Sequence, residues 1–185
     1  MLLFCALTDE ELFSKNERIE MLIESLANDG IKAMDDLYEI IKTDVYAFAL
    51  SKTGNPKDAE DIMQDTFVRI FQYARGYEPQ GKPLAWIFTI VTSLANRKFI
   101  VNQRCVPLVE PDENVPDGKE FEQDVIESEF LRQLMKELSQ EEQEIIVLHI
   151  VSGLKHVEIA KLLDKPLSTV LSRYNRAIKK LQKSV

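Results

Sequence analysis

The most legible chemistry lies at the end of the chain. From Pro166 to Val185 there are five cations, Arg173, Arg176, Lys179, Lys180 and Lys183, and no carboxylate. Ser168, Thr169 and Ser172 stand among and ahead of them. Hydroxyls bond base edges or phosphates, and a guanidinium forks onto guanine or a phosphate oxygen pair. On a helix lying in a major groove these types make a DNA-reading face, and each phosphate contact adds salt dependence. The run from Gly153 to Ala177 has the pattern of a helix-turn-helix that would carry such a face. Val157, Ala160, Leu162, Val170 and Leu171 are placed to close a small core, and Ala160 lets two helices approach closely. A turn at Asp164 tips the second helix outward, leaving Leu167, Ser168, Thr169, Ser172, Arg173 and Arg176 as candidates for the exposed face. The competing reading is a plain helical hairpin whose cationic end complements the helix dipole.

A second group lies at Asp58, Asp61, Gln64 and Asp65. The last three follow the first by three, six and seven positions, so all four share one side of a helix, with Phe67 and Ile70 turned to the core. A charged face of this kind gives a docked partner orientation and fast association more than raw affinity. Acids also gather in a first helical turn because the dipole favours them. Their spacing further resembles half of a divalent-metal site in an all-helical phosphohydrolase, but no His-Asp pair or second acidic helix completes it. His149 and His156 stand on helices without evident partners and read as structural or exposed. No metal or cofactor site is expected. Cys5 and Cys105 have neither a metal spacing nor a disulfide framework.

The elements that must position these groups are helices. Six glycines and seven prolines in 185 residues leave few turns. Ile19, Leu22, Ile23 and Leu26 recur at helical spacing, as do Met34, Leu37, Ile40, Ile41, Val45 and Phe48. The breaks Asn28-Asp29-Gly30 and Gly54-Asn55-Pro56 bound them. Ala59, Ile62, Met63, Phe67, Ile70 and Phe71 form the stripe of a third helix. A Gly- and Pro-rich loop from Arg75 to Pro83 leads into a fourth, from about Leu84 to Val101.

Between Glu110 and Glu129 nine carboxylates face one Lys119, and that local balance of minus eight equals the net charge of the whole chain. Like charges, with Pro107 just before them and Pro111 and Pro116 among them, predict an extended linker. It separates two basic segments, Phe88 to Arg104 and Pro166 to Val185, as separate nucleic-acid contacts would be. Past it, Val125, Ile126, Phe130, Leu131, Leu134 and Leu138 predict another helix. Ser139-Gln140-Glu141-Glu142 reads as a capping box opening the next, which runs to about Val151 and stops at Gly153. The longest apolar run, Met1 to Leu7, is far short of the roughly 20 residues a membrane span needs. It also lacks the basic leader and cleavage site of a signal peptide, so a cytoplasmic protein without membrane insertion is expected.

Phe130 onward resembles the promoter-binding domain of extracytoplasmic-function sigma factors of bacterial RNA polymerase. The resemblance lies in Gly153-Leu154, in Glu158-Ile159-Ala160, and in Ser168-Thr169-Val170 with Ser172-Arg173 and Arg176-Ala177. It implies that the second helix of the motif reads the minus-thirty-five promoter element, with Ser168, Thr169, Arg173 and Arg176 carrying the contacts beside Leu167 and Ser172. Leu171 stands on the same helix where the family commonly has Lys. Asp164 replaces a turn glycine, so it must accept a left-handed backbone, which Asp tolerates better than most residues.

Asp58 to Phe67 resembles the same family's helix that docks on a coiled coil of the polymerase, which implies polymerase binding for Asp58, Asp61, Gln64 and Asp65. Trp86-Ile87-Phe88-Thr89-Ile90 and the basic helix after it resemble the promoter-melting segment, where a loop captures a base flipped from the minus-ten element. Unpaired bases stack on aromatic faces in a cationic groove, and Tyr77, Gln80, Lys82, Trp86, Asn96, Arg97, Lys98 and Arg104 supply those parts. The bland alternative makes Trp86 and Phe88 core residues. Val91-Thr92-Ser93 departs from the Ala-Arg-Asn common in the family, which removes one cation and one amide.

The expectation is therefore an all-α protein of two small helical domains joined by an acidic flexible linker, the C-terminal one a helix-turn-helix. Residues 1–18 are an N-terminal extension. Residues 19–104 bind polymerase and melt the minus-ten element, 105–124 are linker, and 125–185 bind the minus-thirty-five element. The linker holds two cationic surfaces apart, one for paired strands and one for separated ones. The implied partners are core RNA polymerase, promoter DNA as duplex and melted strand, and an anti-sigma factor of the kind family members often have; no cofactor is implied. The competing class is a stand-alone helix-turn-helix regulator, which would dimerise on a two-fold operator.

Overall fold

The computed structural model describes residues 9–28, 30–104 and 136–183, with backbone alone at 9 and 101–104. Among them there is no strand. Four helices form the N-terminal unit: α1 (Asp9–Ala27), α2 (Ala33–Thr53), α3 (Pro56–Tyr73) and α4 (Pro83–Arg104). A short 3₁₀ turn, Ala74–Gly76, extends α3. Three more form the C-terminal unit. They are α5 (Gln140–Ile146), which continues as a π turn over Val147–Val151, then α6 (His156–Leu162) and α7 (Leu167–Leu181). The expected linker at 105–124, and most of the helix expected from Val125 to Leu138, lie outside the described residues.

Local chemistry sets the boundaries. α2 ends at Gly54 with φ 65°, and the Asp58 amide N–H donates to the Asn55 side chain at 3.2 Å, capping α3 with Pro56 in its first turn. The capping box at Ser139 forms as expected: its amide N–H donates to Glu142 Oε2 at 2.9 Å. Lys155 does the same for α6 through Glu158 at 2.9 Å. Asp164 adopts φ 50°, the left-handed turn residue that tips α7 away from α6.

The two units pack against each other across a shared seam. They share one core, in which Ile145, Ile146, Val147 and Leu148 join Val45, Phe48, Phe88 and Val91. Every residue of α2 from Asp44 to Leu50 is buried because neighbours close on all its sides. Polar contacts at the end of α2 help seal the seam. Lys52 Nζ meets Glu144 Oε2 at 2.9 Å, and Gln140 Nε2 donates to the Lys52 carbonyl at 2.6 Å.

α1 begins at Asp9, inside the expected N-terminal extension. Its first turns face the C-terminal unit: Leu12 lies so close to Gly153 that a Cβ there would stand 2.7 Å from it. Three apolar residues expected inside are outside: Phe71 at 45% exposure, Val157 at 51% and Leu171 at 40%. Phe71 and Leu171 each follow an inward residue, Ile70 and Val170, and a helix turns about 100° per residue. The helix-turn-helix core is instead Leu154, Ile159, Ala160, Val170 and Ala177.

Candidate nucleic-acid interface

Helix α7 presents Leu167, Ser168, Leu171, Ser172 and Arg176 to solvent, while Thr169 and Arg173 are half-buried. Period 3.6 produces this division, with Val170 and Ala177 on the buried stripe. The Arg173 guanidinium pairs with Glu141 of α5, whose carboxylate also meets Lys165 at 2.6 Å. Arg173 therefore sits at the edge of the exposed face, held by protein. Lys180 anchors the far end of α7 on Glu142 at 2.6 Å. Burial works against ionisation of Glu142, but bonds from Lys180 and from the Ser139 amide and hydroxyl outweigh it and hold its pKa below the ordinary value.

On α3, Asp61, Gln64 and Asp65 are exposed and Asp58 is half-buried. Lys98 of α4 meets Asp58 at 2.7 Å and Asp61 at 2.8 Å. A cation expected at DNA and two acids expected at polymerase are thus one cluster. Burial disfavours the Lys98 ammonium, yet bonds and charge from Asp58 and Asp61 raise its pKa above the usual lysine value. Asn96 and Arg97 are exposed on the same helix. The Arg104 side chain lies outside the description.

The loop between α3 and α4 is held from several directions. The half-buried Tyr77 ring lies 4.7 Å from Trp86, itself half-buried, and its hydroxyl donates to Glu20 of α1 at 2.9 Å. Glu20 also accepts the amide N–H groups of Gln80 and Gly81 at 3.1 and 2.7 Å. Exposed Lys82 pairs with Glu158 of α6 at 2.7 Å. Between loop, α4 and α6 lies a cavity of about 630 Å³ lined by Tyr77, Gln80, Lys82, Trp86, Val157 and Glu158. Phe88, by contrast, is wholly buried and meets Phe48 edge-on at 5.0 Å.

Glu20 does not stand out in the sequence, and Glu158 does so only within the helix-turn-helix motif. Glu158 has a local signal as the third residue of a short helix, but its pairing with Lys82 spans the two units. The histidines have partners after all: the ring centroids of His149 and His156 are 4.1 Å apart, and Tyr174 stands edge-on to both. Among the described residues no group of three His, Cys, Asp or Glu could hold a metal, and no helix is long and apolar enough to cross a membrane.

Two family models match this chain in order, Sigma-70 region 2 over residues 37–104 and Sigma-70, region 4 over residues 129–181. The ECF RNA polymerase sigma factor EcfG of Rhodopseudomonas palustris is 28% identical over 165 residues, which are 86% of this chain and 84% of that protein. The ECF RNA polymerase sigma factor SigE of Mycolicibacterium smegmatis is 31% identical, over 83% of this chain and 62% of the relative. A solved structure of the sigma factor RpoE in complex with the anti-sigma factor NepR, from Bartonella quintana, shares the fold with a TM-score of 0.56 at 23% identity, covering 80% of this chain and 95% of that one. Regions 2 and 4 in sequence on one chain, with such relatives matching over more than four fifths of it, show that the protein belongs to the extracytoplasmic-function sigma factors.

Proposed function

We propose that this sigma factor carries core RNA polymerase to promoters through two DNA-facing surfaces and one docking surface. Helix α7 takes the duplex at the minus-thirty-five element, using Ser168, Thr169, Ser172, Arg173 and Arg176, flanked by Leu167 and Leu171. The loop and α4 take separated strands of the minus-ten element, using Tyr77, Gln80, Lys82, Trp86, Asn96, Arg97, Lys98 and Arg104. Asp58, Asp61, Gln64 and Asp65 of α3 dock on polymerase. In domain terms, residues 19–104 melt and dock, 105–124 link, and 125–185 bind duplex, with 1–18 as an extension in which α1 begins.

The observation that carries this reading is the outward face of α7, where Ser168, Ser172 and Arg176 stand in solvent on a helix without a single acid. The chemistry is differential binding. Duplex contacts place the loop, and the loop gains contacts only when bases unstack, which shifts DNA toward the open form. Sigma factors are initiation factors rather than enzymes, and polymerase supplies the catalysis. An anti-sigma factor, the partner class of the Bartonella quintana structure, completes the proposed set. Mixing the chain with core polymerase, with and without Asp61→Lys and Asp65→Lys, tests the docking face. Charge reversal should abolish the complex; unchanged binding would sink the assignment.

A further inference from the structure

One carboxylate oxygen shapes the loop between α3 and α4. Glu20 Oε1 gathers three donors, the Tyr77 hydroxyl and the successive Gln80 and Gly81 amides, from a segment 57 to 61 positions downstream. Bonds to a charged acceptor are shorter and stronger than neutral ones, so three converging on one atom pin the backbone rather than decorate it. Gly81 is part of the same bend, with φ 69° and nothing within 4 Å of where a Cβ would stand.

Glu20 is well placed to act as a fixed post. It lies between Ile19 and Ile23, both wholly buried, so its helix cannot shift without disturbing the core. The bonds also hold an aromatic surface in place. Burial, then the bond and charge of Glu20, push the Tyr77 phenol well above its ordinary pKa, so it remains a protonated donor. Its ring, tethered at the oxygen, packs on Trp86. Post and loop both belong to the N-terminal unit. The shape therefore survives rupture of the Lys82–Glu158 pair, whereas a loop held only by that pair would lose its form once the units separate.

We infer that Glu20 is a positioning residue for strand separation, fixing Tyr77 and the Gln80 backbone, and through Tyr77 the stacking surface at Trp86, in the geometry that receives unstacked bases. This rests on the reading of the loop as the base-capturing element.

The test uses holoenzyme assembled from core polymerase and the full chain, on a promoter found by mapping transcription starts on genomic DNA. The variants are Glu20→Ala, Glu20→Gln and Trp86→Ala. Three quantities are read: affinity for core polymerase, protection of upstream duplex, and permanganate reactivity of promoter thymines, which reports open complexes. Glu20→Ala should lower open complexes about tenfold while leaving the other two unchanged. Glu20→Gln keeps an acceptor of the same reach and should restore most of the opening. Normal opening by Glu20→Ala beside failure of Trp86→Ala would overturn the inference and leave the loop reading intact. Loss of all three quantities together in both Glu20 variants would make Glu20 a general structural residue and overturn it equally. Normal opening by Trp86→Ala would overturn the loop reading itself.

Discussion

Helix α7 and the loop between α3 and α4 are both assigned to DNA, yet they are built in opposite ways. The face of α7 follows from its own sequence: Val170 and Ala177 turn inward, and rotation of the helix puts Ser168, Ser172 and Arg176 outside. The loop owes its shape to a residue far away, Glu20 of α1, while Glu158 of α6 pairs with Lys82 from the other side. A surface carried by a helix is encoded where it stands. A surface carried by a loop is encoded in whatever holds the loop.

The strongest challenge to this contrast is removal of the ring beneath the loop-bearing unit. Phe88→Ala should cost about 3–5 kcal/mol. Because both units share one core, urea should unfold them in a single transition, seen alike by far-UV circular dichroism and by Trp86, the sole tryptophan. Two separate transitions would show that α7 and the loop rest on independent cores. Next is the seam. Lys52→Met strands the buried Glu144 carboxylate and should cost about 3 kcal/mol in the same experiment.

Arg176→Ala sharpens the contrast from the other side. It should weaken binding to promoter duplex by about 1–3 kcal/mol, read by fluorescence anisotropy, and leave Trp86 emission unchanged. A spectral change at Trp86 would mean the two surfaces are not built separately. A smaller effect concerns acid. Burial, then the charge of neighbouring His149, hold the His156 pKa below its ordinary 6.5, so the folded chain takes up this proton less readily than the unfolded one. Stability from this site is full above about pH 6.5 and declines below it. Thermal denaturation at pH 7.5 and 5.5 should show a larger acid loss in the wild type than in His156→Gln. Smallest of all, Lys82→Met should change stability by less than about 1 kcal/mol, because the Lys82 side chain is 60% exposed in its pair with Glu158.

The same contrast explains what the sequence discloses. Periodicity placed α2 and α3, the helix-turn-helix pattern placed α7, residue type announced the capping box at Ser139, and the family resemblance implied the left-handed Asp164. Val157 and Leu171 were misplaced because apolar character does not say which side of a short helix faces in. The acid run between Glu110 and Glu129 marks a linker but does not say how the units meet, because the shared core depends on Ile145 to Leu148 meeting α2 and α4 across more than fifty residues of chain. Glu20 and Glu158 could not be found by spacing. A carboxylate's partner at such separation is set by tertiary packing, and no local pattern announces it.

The central claim is that α7 holds paired strands while the loop holds separated ones, and it makes two steps of initiation separable. Permanganate reactivity of promoter thymines, measured with upstream duplex protection for holoenzymes carrying Arg176→Ala or Trp86→Ala, tests it most directly. Arg176→Ala should weaken protection and opening together, and Trp86→Ala should keep protection while losing reactive thymines. Both variants failing at the same step would contradict the account.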